Sequence, residues 1–185
     1  MKNLLAVVLI AFSLNGFAQQ KELVWHTDAN KAINLSVQSG KPLFFFFTGS
    51  DWCGWCIKLQ KEVFFLPEFK KWATKNVILV ELDFPKRTPI SDDLKKQNRE
   101  LANMFGVRGY PSVWFVKGDK LNNSRLKIQT LSNEYRKIKG NKTKEAEISK
   151  QIQSIINSTV FGSQGYVRGG PSAWIAGANK ILKKK

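Results

Sequence analysis

Cys53 and Cys56 are the only cysteines in 185 residues, and only Gly54 and Trp55 separate them. A structural zinc site takes four ligands, commonly two such pairs or cysteines with histidines. This chain offers one pair and a single histidine, His26, so no metal is implied. Two thiols at positions i and i+3 of a helix share a face at about 5–6 Å, within reach of a disulfide. The pair reads as a reversible redox switch whose working group is the disulfide itself, with no separate cofactor. The alternative is an inert staple. A bridge across two residues makes a poor one, because it removes little loop entropy from the unfolded chain.

Elements that can position such a pair surround it. Leu43-Phe44-Phe45-Phe46-Phe47 is an apolar run without alternation, as expected of a strand buried on both faces. Thr48-Gly49-Ser50-Asp51 forms a turn, and the cysteines open the next helix, whose apolar side carries Cys56, Leu59 and Val63. Pro67 interrupts that helix, and Glu68 to Lys75 continues in helical spacing. Val77 to Asp83 reads as a second buried strand. Ser91-Asp92-Asp93 starts a polar helix that ends at Gly106, and Val113 to Val116 is a third strand. A weaker helical stretch between Asp28 and Gly40 precedes the first strand. The alternation of helices and strands predicts an α/β fold, a central mixed sheet flanked by helices.

Asp119 to Ser158 departs from this rhythm, with nine basic and four acidic residues. Ile128, Leu131, Tyr135 and Ile138 fit one helical stripe, and Ile148, Ile152, Ile155 and Ile156 fit another. Gly140-Asn141 lies between them. The segment reads as a basic helical insertion, a hairpin or one broken helix, placed before the last strand at Val160 to Ser163. Gly169-Gly170-Pro171 starts a final helix, with proline at a favourable first-turn position. The chain carries a formal net charge of +16. Such a balance admits nucleic acid, anionic membranes or acidic proteins as partners. The lysines are dispersed and no nucleic-acid motif accompanies them, so nucleic acid is not expected and a solvated basic surface suffices.

Met1-Lys2-Asn3, the apolar run Leu4 to Phe12 and the ending Gly16-Phe17-Ala18 have the layout of a secretory signal cleaved near Ala18. The run is shorter than the roughly 20 apolar residues of a membrane span. The expected organisation is a signal peptide over 1–18 and a single domain over 19–185, with an insertion at about 119–158. That domain would work in the periplasm or outside the cell, where disulfides persist.

A strand, a short turn and a C-x-x-C at a helix start resemble the thioredoxin superfamily. The resemblance is to its secreted, bacterial members carrying Trp-Cys-x-Trp-Cys. Three segments carry it: FTGSDWCGWCIKL at Phe47 to Leu59, GVRGYPSVWFV at Gly106 to Val116, and GYVRGGPSAWI at Gly165 to Ile175. It covers about Trp25 to Leu182 apart from the insertion. By this resemblance the domain is a thioredoxin-like fold, Cys53 is the exposed nucleophile and Cys56 the more buried resolving thiol. Unpaired amides and the dipole at a helix start favour a thiolate there. Gly54 adds no bulk beside the nucleophile, and Trp52 and Trp55 are candidates to line a substrate surface, Trp55 the more exposed of the two. Tyr110-Pro111 matches the family's cis-proline site, where the Tyr110 backbone lies beside the cysteines and can pair with a substrate peptide.

The chain departs from the family at Phe47, where many thioredoxins place a buried acid that helps deprotonate the resolving thiol. Asp51, Lys58 and Asp83 are the charges that could substitute, Lys58 being the best placed to favour a thiolate. His26 is an ordinary structural residue. The implied activity is that of an extracytoplasmic thiol–disulfide oxidoreductase that reduces protein disulfides with an unidentified redox partner. An oxidase or isomerase of the same fold is an alternative, as is a binding module that uses the basic insertion against an acidic protein or a membrane surface. Neither the direction of electron flow nor the oligomeric state is encoded in these motifs.

Overall fold

The computed structural model describes residues 22–183. The signal segment expected at 1–18 and its cleavage near Ala18 lie outside the described residues. Among the described residues, five strands form one sheet in the order β1-β3-β2-β4-β5. They are β1 (Trp25–His26), β2 (Leu43–Thr48), β3 (Ile78–Asp83), β4 (Ser112–Val116) and β5 (Val160–Gln164). β3 runs parallel to both β1 and β2, whereas β4 is antiparallel to β2 and to β5. The sheet is therefore mixed, as its helix–strand alternation predicts. The strand at Trp25–His26 is an addition: two residues are too few to show a period, and pairing with Leu79 and Val80 defines them.

Local chemistry marks the helices. α1 (Ala29–Ser39) begins where the Asp28 carboxylate accepts the amides of Asn30 and Lys31 at 2.8 and 3.1 Å. It ends at Gly40, whose positive φ of 70° suits a residue without Cβ. α2 (Gly54–Leu59) runs into a π-helical turn over Gln60–Phe64, and Pro67 opens α3 (Pro67–Asn76) rather than merely ending the previous helix. The π-turn brings the consecutive residues Val63 and Phe64 inward together. α4 (Asp92–Met104) is capped by the Ser91 hydroxyl, which accepts the Leu94 amide.

The insertion is a hairpin. α5 (Gly118–Lys137) and α6 (Lys142–Thr159) pack against each other, joined through Gly140 and Asn141. Its base is closed where the Lys117 amide donates to the Thr159 carbonyl at 2.7 Å. Ile128, Leu131, Ile148 and Ile156 are buried, whereas Tyr135 of the expected stripe is exposed. α5 also leans on α1 at Gly118, where any Cβ would collide with the Ser36 side chain. α7 (Gly170–Leu182) completes the chain, and no helix of the described residues is long and apolar enough to cross a membrane.

The sheet separates two cores. Phe44 and Phe46 face α2, α3 and α7 and pack with Cys53, Cys56, Phe64, Phe69 and Trp174. Phe45 and Phe47 face the other way, against Ile33 of α1, Leu101 and Phe105 near α4, and Leu121 and Ile156 of the hairpin. The first core is dominated by rings. Phe44 lies 5.5–5.9 Å from Trp25, Phe64, Phe69, Phe115 and Trp174, mostly edge to face. Such pairs add about 0.5–1.5 kcal/mol each beyond their burial. Trp174 is fully buried, and its indole N–H donates to the Gly165 carbonyl at 2.9 Å. Trp174→Ala is expected to destabilise the domain by about 3–5 kcal/mol, measured as a fall in the urea midpoint with little change in slope.

Candidate active site

β2 delivers the chain to the motif through a tight turn. The Trp52 and Cys53 amides both donate to the Gly49 carbonyl, at 3.2 and 2.8 Å. A Cβ on Gly49 would penetrate the Trp52 indole, so the turn needs glycine there. Cys53 is the N-cap of α2, and its sulfur accepts the Cys56 amide at 3.2 Å. The Cys56 and Ile57 amides also reach the Cys53 carbonyl, at 3.0 and 3.1 Å. Cys53 and Cys56 form a disulfide, with Cα atoms 5.2 Å apart. Cys56 is wholly buried, and Cys53, expected to be exposed, is buried as well at 6%, because it packs beside Cys56 against the ring core. The amide aimed at the Cys53 sulfur is a donor that would stabilise negative charge on it.

Two carboxylates fasten this turn to the rest of the molecule. Asp83 accepts the Ser50 amide at 2.8 Å and the Ser50 hydroxyl, while Asn98 donates to the Asp83 carbonyl at 2.9 Å. Asp51 accepts the amides of Lys86, Arg87 and Thr88 at 3.0, 2.7 and 2.9 Å. The Arg87 guanidinium donates in return to the Asp51 carbonyl. Those amides, Lys86 first, lower the Asp51 pKa from 3.8 to about 2. Asp51 thus anchors the loop after β3, and its hydrogen bonds run to that loop rather than to a sulfur. Lys58 places its Nζ over the rings of Trp55 and Tyr166, at 5.2 and 5.4 Å, and 3.8 Å from Glu62.

Aromatic residues border the disulfide on two sides. Trp52 is 41% exposed, yet its indole N–H donates to the Phe84 carbonyl at 2.7 Å. Its ring meets Tyr110 edge-on at 5.8 Å, and Lys86 Nζ lies 4.4 Å from its centre. Trp55 is 54% exposed and lies 5.3 Å from the ring of Tyr166, whose hydroxyl donates to Glu62. That hydrogen bond, followed by burial, raises the Tyr166 pKa. Gly54 has open space around it. The Tyr110–Pro111 bond is cis, and the Pro111 carbonyl approaches Gly165 so closely that a Cβ there would stand 3.3 Å away.

Phe47 is fully buried in the core opposite the cysteines, with its ring 6.4 Å from Phe105. Glu81, opposite Phe46 in the β2–β3 register, has its pKa raised by burial and then by the neighbouring Asp83. His26 lies in β1, paired with Val80. Among the described residues, no group of three or more His, Cys, Asp or Glu could hold a metal ion. Sequence reasoning did not single out Tyr166, Glu62 or Lys86 as site residues. Tyr166 stands 104 residues from Glu62, and no local spacing links them; its place inside the GYVRGGPSAWI segment was the available signal.

The Asp51 carboxylate supports a pH test. Its depressed pKa means that its contribution to holding the 86–88 loop is complete above its ordinary value of 3.8 and is lost as pH falls through about 2. Hydrogen exchange at the Lys86, Arg87 and Thr88 amides, corrected for intrinsic rates, is expected to lose protection over that acid window. Asp51→Asn should show weak protection at those amides at neutral pH as well.

Comparison with known proteins follows the same outline. The sequence profile described as a thioredoxin-like domain matches residues 29–137. The disulfide bond reductase DsbH of Chlamydia pneumoniae is 38% identical over 97 residues, covering 52% of this chain and 58% of that protein. The thioredoxin-related protein DsbJ of the same organism is 34% identical over 114 residues, covering 59% of this chain and 33% of that protein. The chain therefore spans less than two thirds of the length of either. A solved structure described as a DsbH oxidoreductase superposes with a TM-score of 0.64 at 25% identity, covering 100% of this chain and 96% of that one. The matched profile covers more than half of the chain, and the mixed sheet with a C-x-x-C disulfide at the start of α2 agrees with it: this chain belongs to the thioredoxin-like family.

Proposed function

We propose that this chain is a thiol–disulfide oxidoreductase that reduces disulfides in protein substrates outside the cytoplasm. The observation that carries the reading is the Cys53–Cys56 disulfide itself: Cys56 is wholly buried, while Cys53 keeps 6% of its surface and its sulfur caps a helix, facing the Cys56 amide. In the dithiol form, Cys53 ionises and its thiolate attacks one sulfur of a substrate disulfide. The substrate S–S bond breaks, its other sulfur leaves as a thiolate, and a mixed disulfide joins the substrate to Cys53. Cys56 then loses its proton and attacks the Cys53 sulfur, which releases the second substrate thiolate and closes Cys53–Cys56. Two electrons have passed from the protein to the substrate. A dithiol redox partner must return them, since the closed pair cannot attack again.

Trp52, Gly54, Trp55, Tyr110 and Pro111 form the surface that receives the substrate polypeptide in this reading. Gly54 has open space where a side chain would stand, and the exposed tryptophan rings offer apolar contact. The name of the Chlamydia pneumoniae relative, a disulfide bond reductase, favours reduction over oxidation. The amino-terminal segment supports export, with 1–18 removed and 19–185 forming one domain. Inside it the 118–159 hairpin is an elaboration on the far side of the sheet from the sulfurs, since Leu121, Ile128 and Ile156 join the opposite core.

The reading is tested by insulin-disulfide reduction with a dithiol donor. Cys53→Ser is expected to abolish turnover, whereas Cys56→Ser should accumulate a mixed disulfide visible by mass spectrometry of the quenched reaction. Equal turnover by wild type and Cys53→Ser would remove the catalytic assignment. The equilibrium of the pair with glutathione addresses direction, and a strongly oxidising potential would sink the reductase reading in favour of an oxidase.

A further inference from the structure

Each side of the disulfide carries the same device, an exposed tryptophan with a cation on its face. On one side Lys86 covers Trp52, with Arg87 beside it in the loop held by Asp51. On the other side Lys58 covers both Trp55 and Tyr166, and Arg168 is close enough to oppose the rise of the Tyr166 pKa. Asp51 and Asp83 are engaged in backbone and turn contacts, whereas Glu62 stays exposed and lies 3.8 Å from Lys58. Asp51 accepts three loop amides, Asp83 holds Ser50, and Glu62 accepts the Tyr166 hydroxyl. Lys86, Arg87 and Arg168 are the rim cations that make no salt bridge to a carboxylate among the described residues. The outward charge of the rim is therefore positive, on a chain whose formal net charge is already +16.

We propose that these paired cation–aromatic sites select substrate disulfides whose cysteines are flanked by acidic residues. The inference rests on the oxidoreductase reading above and adds the chemical class of its substrate. Two physical effects bear on that choice, and the cationic rim shifts both of them towards acidic flanks. Opposite charge steers encounter and raises the association rate, an effect that salt screens. Carboxylates next to a cysteine also raise its thiol pKa, which makes it a poorer leaving group in disulfide exchange. Lysine and arginine on both sides of the bond counter that penalty by stabilising the departing thiolate. The tryptophan and tyrosine rings supply apolar contact beneath the charges, so the surface fits an extended segment that mixes acidic and apolar side chains.

The experiment compares three peptide disulfides identical except for their flanks, which are glutamate, serine or lysine. For the dithiol protein, kcat/KM is expected to fall in that order, with glutamate over lysine by about ten- to a hundredfold at low salt and the ratio collapsing at high salt. The combined variant Lys86→Gln, Arg168→Gln should shrink the glutamate-to-lysine ratio severalfold. Lys142→Gln, Lys144→Gln removes the same charge at the hairpin tip and should leave the ratio near that of wild type. Equal rates on all three peptides, a preference for lysine, or an equal loss of preference in the two variants would each overturn the proposal. The last would assign the preference to net charge instead of the rim. Failure of the dithiol protein to reduce any of the three peptides, or a small uncharged disulfide, would instead overturn the oxidoreductase reading on which this one stands.

Discussion

β2 contains four identical rings in succession, Phe44 to Phe47, and is paired along both edges. A slip of one residue in a strand exchanges its faces, and normally the alternation of side chains forbids it. Here alternation is absent, and a slipped run of phenylalanine would still fill both cores. Register must come from the ends. At one end the Ile78 amide holds the Pro42 carbonyl at 2.9 Å; at the other the Phe84 amide holds the Thr48 carbonyl at 2.9 Å. Ser50 on Asp83 and the loop amides on Asp51 extend that clamp into the turn. Each residue of slip would displace Cys53 by about 3.3 Å, which is more than a hydrogen bond tolerates. The two aspartates near the motif thus matter to the sulfurs through position.

Burial and exposure divide the site in the same way. Trp52 and Trp55 both stay largely exposed, but Trp52 is held by its indole N–H while Trp55 rests on Tyr166. The first is therefore fixed to the loop after β3, and the second to the segment after β5. The disulfide sits between parts of the chain that belong to different strand connections, all of which have to be in place before the surface around it is complete.

The features legible in the sequence were those whose cause is local. A cysteine pair, three mainly apolar strands, an aspartate or serine before a helix, and glycine after one each act within a few residues. The helical insertion was legible for the same reason, as two apolar stripes on either side of Gly140-Asn141, while the choice between a hairpin and one broken helix was decided by the packing of α5 on α6. What was not legible was created by contact. Trp25–His26 is a strand because β3 offers it a partner. The π-turn at Gln60–Phe64 has an ordinary helical composition, and the demand of the ring cluster for both Val63 and Phe64 gives it a use. Tyr166 joins Trp55, Lys58 and Glu62, themselves neighbours on one helical stretch, across the 104 residues of chain that separate it from Glu62. Asp51, nominated for its place beside the cysteines, has its hydrogen-bond partners in the loop at 86–88, which no local spacing announces.

The hairpin also bears on how the molecule assembles. β4 and β5 are neighbours in the sheet, yet Val116 and its partner Val160 are separated by the whole of α5 and α6. Closing a flexible connection of that length, in place of a short turn, would cost on the order of 2 kcal/mol of chain entropy. Two helices packed antiparallel, with Lys117 already bonded to Thr159 at their base, present the strand ends side by side and make a distant pairing effectively local. The β5 segment and the chain beyond it, including Tyr166 and the ring of Trp174, then follow the hairpin into place. A basic excursion that touches neither sulfur is in this sense the scaffold on which the last wall around them is hung.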